Sequence, residues 1–344
     1  MNEVKTELNI FCPRKSCPFY GKPGKKINKD GVYNTKSDHE SRQMFYCYGG
    51  HHRFSETGFS ELFGKHGSFK EYEQTSKLSS HGLSTAAIAD VLLKDERTIA
   101  SWQQAIGHKA ERFHLFLCLT IQIKILFLQM DELWSYLKRK KQQLWVFISL
   151  EANTKFWLTF QLGSRSRHTA NRLVAPLKKM GRWGNDIVLK VTTDKMAAYK
   201  HALETSMIGI PYIYLQIVKK RFKRRLITVK KHFVKGAKKD FGPKTQNTSF
   251  IERFNLTLRQ KVSYLQRKTL GYCKSKENFA SIMWLNLFDY NYRHFHKSLR
   301  IKISQHQQKF RRRWLHQTPA MAAELTNLQL SWRFLIVVPI PITS

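Results

Sequence analysis

The sequence predicts an α/β protein with a mixed sheet, preceded by a small cysteine-rich module and a helical hairpin. Three observations predict it. Apolar runs of strand length recur through the middle of the chain, helical spacing interrupts the later ones, and three of the five cysteines lie before residue 50.

The cysteine-rich module comes first, over residues 1–64. Cys12-x4-Cys17 and Cys47, with His51 or His52 as a fourth ligand, supply soft and borderline donors for one tetrahedral structural zinc. A segment this rich in Gly, Pro, Lys and His has little core of its own, which is why a metal is expected to hold it. The competing reading is a set of unpaired cysteines. Cys118 and Cys273 lie in apolar or helical surroundings and read as structural.

Residues 65–114 are helical and polar. Within them LSTAAIADVLLKDERTIASW reads as two short helices, the first capped by Ser84 or Thr85 and packed through Ile88, Ala89 and Leu92. Lys94-Asp95-Glu96 makes the turn, and Ile99 and Trp102 anchor the second helix. Arg97, Thr98, Ser101 and Gln103 then face outward, as the reading residues of a helix-turn-helix do in the major groove. Leu93 departs from that pattern, standing where glycine is common. An ordinary helical hairpin is the alternative.

The α/β domain, residues 115–300, begins with the strands IQIKILFLQ, LWVFISL and FWLTFQL. TANRLVAPLKKM supplies a helix, DIVLKVT a strand, KMAAYKHALE a helix and IYLQIV a further strand. Residues 219–246 are densely basic, and a long helical region starts at Ser249. Residues 301–344 form a tail containing the second basic run, KFRRRW.

Asp131 closes the first strand, Asp194 closes the fourth, and Glu252 begins the long helix. Strand ends in an α/β sheet are where ligands collect, and three carboxylates there make a hard oxygen pocket for magnesium or manganese. Two such ions suit in-line phosphoryl transfer. Each acid also has a plain alternative. Asp194 can cap the next helix, Ser249-x-x-Glu252 has capping-box spacing, and Asp131 can pair with a lysine, as can Glu132.

Charge narrows the partner. Lys and Arg total 60 against 24 acidic residues, a net charge of +36. An excess of this size calls for a polyanion, with nucleic acid ahead of an anionic membrane surface. Hydrophobic residues at 42% exclude a disordered basic tail protein. No apolar run is long and uninterrupted enough to span a bilayer, and five cysteines argue against a disulfide framework. A cytoplasmic, nucleoid-associated protein is expected.

The residues that carry these features resemble the DDE transposases of the InsA/InsB type. The likeness runs through RQMFYCYGGHHRFSETG, MDELWSYLKRKKQQLWVFISLEANTKFW and TTDKMAAYKHAL. It continues through NTSFIERFNLTLRQKVSYLQRKTL and YNYRHFHKSLR to TPAMAAELT. The resemblance implies an RNase H-like catalytic domain with two Mg²⁺ or Mn²⁺ ions. Its triad falls on Asp131 in MDELW, Asp194 in TTDKMAAY and Glu252 in IERFN. It further implies that a zinc ribbon and helix-turn-helix bind terminal inverted repeats. Water frees a 3′-OH at the element's end, and that hydroxyl attacks target DNA, without ATP or a covalent protein–DNA intermediate. Joining two ends implies at least a homodimer. Helical spacing adds Arg253, Asn255 and Arg259 as phosphate contacts near Glu252. One departure stands out: Gly50 occupies the place of the family's last ribbon cysteine. A repressor with an inert α/β domain and a structure-selective nuclease are the rival functions.

Overall fold

The computed structural model describes residues 10–22, 26–34, 41–59, 61–184, 187–223, 225–267, 271–303 and 313–340. Most of the basic run KFRRRW lies outside the described residues. The chain divides into two compact units, one of residues 1–116, 281–285 and 330–344, the other of residues 117–280 and 286–329.

The first unit opens on a three-stranded antiparallel sheet of β1 (Ile27–Asn34), β2 (Ser41–Cys47) and β3 (His52–Ser55), in the order β1-β2-β3. Its core is minimal: Phe11, Phe45 and Phe54 gather with Cys12, Cys17 and Cys47. Three helices follow, α1 (Phe69–Ser80), α2 (Thr85–Leu92) and α3 (Glu96–Ile121). Ser68 and Glu71 close a reciprocal capping box on α1, and the Ser84 hydroxyl accepts from the Ala87 amide to cap α2. The turn between α2 and α3 places Leu93 in the left-handed region at φ 52°, the conformation glycine would adopt without strain. Ile88, Ile99 and Trp102 are buried, as their spacing predicts.

Two expectations for this hairpin need correction. The second helix is not short, since α3 continues for 26 residues. Gln103 does not face outward but is fully buried. Its amide donates to Ser79 Oγ at 2.9 Å and its carbonyl accepts from Thr85 Oγ1 at 2.9 Å, so it joins α3 to both preceding elements. The cause lies in α1, whose inner face carries the buried hydroxyls of Thr75, Ser76, Ser79 and Ser80. A face of that kind needs a polar partner when water is excluded. Arg97 is exposed, while Thr98 and Ser101 are half-buried.

The second unit contains β4 (Phe127–Tyr136), β5 (Gln143–Glu151), β6 (Phe156–Gly163), α4 (Arg167–Met180), β7 (Leu189–Asp194) and α5 (Ala197–Ser206). Then come β8 (Tyr212–Phe222), β9 (Arg225–Lys235) and α6 (Ser249–Lys261). The sheet order is β6-β5-β4-β7-β8-β9, with β4–β7 and β7–β8 parallel and the other pairs antiparallel. This mixed six-stranded sheet fits an RNase H-like domain. Helix α4 buries Thr169, Ala170, Leu173, Val174, Leu177 and Met180, a 3–4 spacing that lays one stripe on the core.

Here too the strand boundaries differ from expectation. IQIKIL is not strand, because α3 runs to Ile121 and β4 starts only at Phe127. Asp131 therefore lies within β4, whose pairing with β5 continues to Tyr136 opposite Gln143. Part of the basic 219–246 stretch is the strand β9, hydrogen-bonded along β8 and exposed over most of its length. No described helix is long and apolar enough to cross a membrane.

Candidate active site

Parallel pairing brings the first two acids together. Met130 of β4 stands opposite Thr193 of β7, so Asp131 and Asp194 follow side by side. Strand alternation sends Gln129 and Asp131 to one face. There the Gln129 amide donates to Asn247 O at 2.7 Å, and its carbonyl accepts from the Ile251 amide at 2.8 Å. These bonds fix the start of α6 against β4. One turn along α6, the Asn255 amide donates to Asp131 Oδ2 at 2.6 Å.

Glu132 emerges on the opposite face, where Tyr199 of α5 donates to it at 3.1 Å and Arg165 reaches it at 2.5 Å. Asp131, Glu132 and Asp194 nonetheless present oxygens that all lie within 4.8 Å of one another. Glu252 lies outside that group. Its Oε1 accepts from Lys219 Nζ and Thr248 Oγ1. All three expected acids line one cavity of about 680 Å³, whose wall also carries Arg165, Lys219, Arg259 and Arg267.

Burial and crowding both raise the acids. Burial, then the neighbouring Glu132, pushes Asp131 up to about 7, with Asp194 and Glu252 adding to the shift. Burial and Glu132 likewise raise Asp194 to about 6, against the opposing pull of Arg165 and Lys219. Carboxylate oxygens at this spacing are the donor set that magnesium or manganese takes.

The two capping alternatives for the acids do not hold, whereas pairing with a basic residue does occur, at Glu132 with Arg165 and at Glu252 with Lys219. Helix α5 starts at Ala197 with Met196 as its N-cap, so Asp194 caps no helix, although its Oδ1 accepts from the Met196 amide. Helix α6 has Thr248 as N-cap, and Glu252 makes no capping box with Ser249. Asn255 also differs from expectation. It is 2% exposed and serves to orient Asp131 rather than to meet phosphate. Arg259 lies in the acid cavity as expected, but Arg253 lines a different one.

Sequence reading passed over Gln129, Arg165 and Lys219, and gave Glu132 no place in the acid group. Gln129 carried a signal, being a polar residue inside LFLQMD and two positions before Asp131, hence on its face. Arg165 and Lys219 carried none, since each arrives by tertiary contact.

In the first unit, Cys12, Cys47 and His52 bring ligand atoms within 4.8 Å of one another, and Cys17 Sγ lies 3.6 Å from Cys47 Sγ. His52 Nε2 is 3.2 Å from Cys12 Sγ, and its Nδ1 is 3.0 Å from Gly50 O. His52 is the histidine that lies in the cluster, whereas His51 is an exposed turn residue at φ 47° outside it. A Cβ at Gly50 would lie 2.9 Å from Cys17 Sγ and 2.7 Å from the His52 ring. The imidazole therefore fills the space that a side chain at position 50 would occupy. Burial, with the sulfurs of Cys17 and Cys47 nearby, pushes the Cys12 thiol up to about 12.

Part of the α/β unit matches a known family. Residues 124–243 match the family described as IS1 transposase, a span that includes Asp131 and Asp194 and ends before Glu252. The chain is 27% identical over 164 residues to the insertion element IS1 4 protein InsB of Escherichia coli (strain K12), covering 47% of this chain and 75% of that one. It is also 27% identical over 164 residues to the insertion element IS1 protein InsB of Shigella sonnei, covering 47% of this chain and 95% of that protein. The aligned likeness thus covers about half the chain, less than the motif blocks span. On these grounds the chain is similar to the InsB-type transposases, and part of its α/β unit resembles the IS1 transposase family.

Proposed function

We propose that this protein is a DNA transposase that cuts at the ends of an insertion sequence and joins the freed strand to target DNA. The observation that carries this reading is the convergence of Asp131 and Asp194, with Glu252 on the same cavity wall, inside a chain of net charge +36. An inert domain gains nothing from acids whose burial, with Glu132 beside them, pushes Asp131 up to about 7 and Asp194 up to about 6.

Asp131, Asp194 and Glu252 are the residues that would hold two Mg²⁺ or Mn²⁺ ions. Divalent cations bound there neutralise charge developing on the reacting phosphate. The protein's own groups do the positioning. Asn255 fixes the Asp131 carboxylate, Tyr199 and Arg165 hold Glu132, and Thr248 and Lys219 hold Glu252. Arg259 and Arg267 face the same cavity and meet the phosphates flanking the scissile bond. Hydrolysis at the element's end leaves a 3′-OH. That hydroxyl then attacks a target phosphodiester, forming the new bond as the target's own 3′ oxygen leaves. Orientation and electrostatics supply the rate, because both steps are in-line phosphoryl transfers.

In the same reading, residues 1–64 bind one structural zinc through Cys12, Cys17, Cys47 and His52, and residues 65–114 read the terminal inverted repeats. Arg97 heads the DNA-facing side of α3, with Thr98 and Ser101 beside it. Two chains act together to join two ends, in the cytoplasm on nucleoid DNA.

The test is a strand-joining assay with the purified chain, Mn²⁺ or Mg²⁺, and DNA carrying the repeats that flank its reading frame. Asp131→Asn, Asp194→Asn and Glu252→Gln should each lower joining about 10³-fold, the rate equivalent of several kcal/mol of lost charge stabilisation. Cutting without joining would assign a nuclease, and repeat binding without any cutting a repressor.

A further inference from the structure

Helix α6 lines two cavities. Its period of 3.6 residues sends Thr248, Glu252, Asn255 and Arg259 to the acids, and Phe250, Arg253, Thr257 and Lys261 to a second cavity of about 780 Å³. The second cavity has the opposite chemistry. Among the described residues that line it none is acidic, and Lys155, Arg253 and Lys297 are joined there by His294 and His296.

Its apolar wall is aromatic. Tyr290 and Phe254 are buried, their ring centroids 4.6 Å apart, and the Lys155 ammonium sits 3.2 Å over the Phe250 ring. Lys155 occupies the turn between β5 and β6 at φ 59°, a left-handed conformation that a side-chain-bearing residue adopts at a cost. His296 Nε2 is buried with no hydrogen-bond partner among the described residues. Burial pushes the Lys155 ammonium down to about 8 and His296 down to about 4. His296 is therefore a neutral ring, Lys155 also donates to Ala152 O at 2.5 Å, and Arg253 and Lys297 line the cavity with no acidic partner among the described residues.

We propose that this cavity binds a nucleotide of the DNA substrate, with the phosphate met by Arg253, Lys155 and Lys297 and the base laid against the aromatic wall. The proposal rests on the DNA-processing reading above and adds a second contact to it. Its volume is that of a small-molecule site, and cations combined with aromatic rings are the recognition chemistry of single-stranded nucleic acid. A helix is about 10 Å across, a span that roughly three stacked nucleotides cover. One strand can thus meet the acids on one side of α6 and this cavity on the other. Lys261 supports the site indirectly, since its ammonium is held by Asp289 at 2.7 Å.

The experiment titrates the full chain with a single-stranded tetradeoxynucleotide, with inorganic phosphate and with duplex DNA. We expect the double variant Arg253→Ala/Lys297→Ala to bind the tetranucleotide at least tenfold more weakly, with its melting temperature unchanged. In a second measurement on the unaltered chain, a 5-iododeoxyuridine oligonucleotide should cross-link to peptides containing Phe250 or Tyr290. Unchanged affinity in the double variant, phosphate binding as tight as the tetranucleotide, or cross-links only outside this cavity would each overturn the proposal. Failure of the unaltered chain to bind any duplex DNA would instead overturn the transposase reading.

Discussion

The Cys12–Cys17–Cys47–His52 cluster and the Asp131–Glu132–Asp194 cluster share a problem and solve it on different scaffolds. Each crowds like groups out of water, so Cys12 is pushed up to about 12 and Asp131 up to about 7. The sulfurs sit within a core of three phenylalanines and themselves, while the acids sit on a six-stranded sheet with helices packed against it. On the proposed reading, a metal at the first would be part of what folds it, and a metal at the second would arrive at a finished site. The lesson is that burial of a ligand cluster does not reveal what its metal does. The size of the surrounding core does.

The largest expected effect breaks the comparison at its strongest point. Stripping zinc with a chelator should unfold the first sheet, seen as loss of hydrogen-exchange protection over residues 41–55, while the α/β sheet keeps its protection. Simultaneous loss in both would contradict separate scaffolds. Next, His52→Ala should reduce bound zinc well below one per chain, and His51→Ala should leave it at about one. Metal analysis of the two purified variants decides this.

A smaller effect concerns the acids. Asp131 rises from its ordinary 3.8 to about 7, so between those values the native state keeps a proton that the unfolded chain has released. Stability from this group therefore falls as pH rises through the window, and the full penalty stands above pH 7. In metal-free protein, Asp131→Asn should raise the Tm relative to wild type by about 2–6 °C at pH 8. The gain should vanish near pH 4, and saturating Mn²⁺ should reverse the ranking. A constant difference across pH would mean that the carboxylate is not repelled.

The smallest effect divides the helical hairpin. Gln103→Ala should destabilise the first unit by about 1–3 kcal/mol, because Ser79 and Thr85 lose their buried partner. Arg97→Ala should leave stability unchanged and weaken repeat binding. Denaturant melts and binding isotherms on the same two variants separate these outcomes.

Sequence alone determined much of this protein. Long apolar runs have few ways to leave water, so the order of three strands, helix, strand, helix and strand was legible, as were Asp131 and Asp194 as neighbouring acids. The cysteines and the charge excess were legible because composition survives any fold. Tertiary structure decided the rest. Gln103 turned inward because α1 offers it a row of hydroxyls, a fact of another helix. His52 rather than His51 joined the sulfurs because strand β3 begins there and holds its ring beside Cys12. Glu132, Arg165 and Lys219 entered the acid site through side chains from separate strands and loops. The second face of α6 acquired its character from the β5–β6 turn and from residues far along the chain. Periodicity and composition are properties of a segment, whereas the counter-charge, the hydrogen-bond partner and the wall of a cavity come from whatever the fold packs against it.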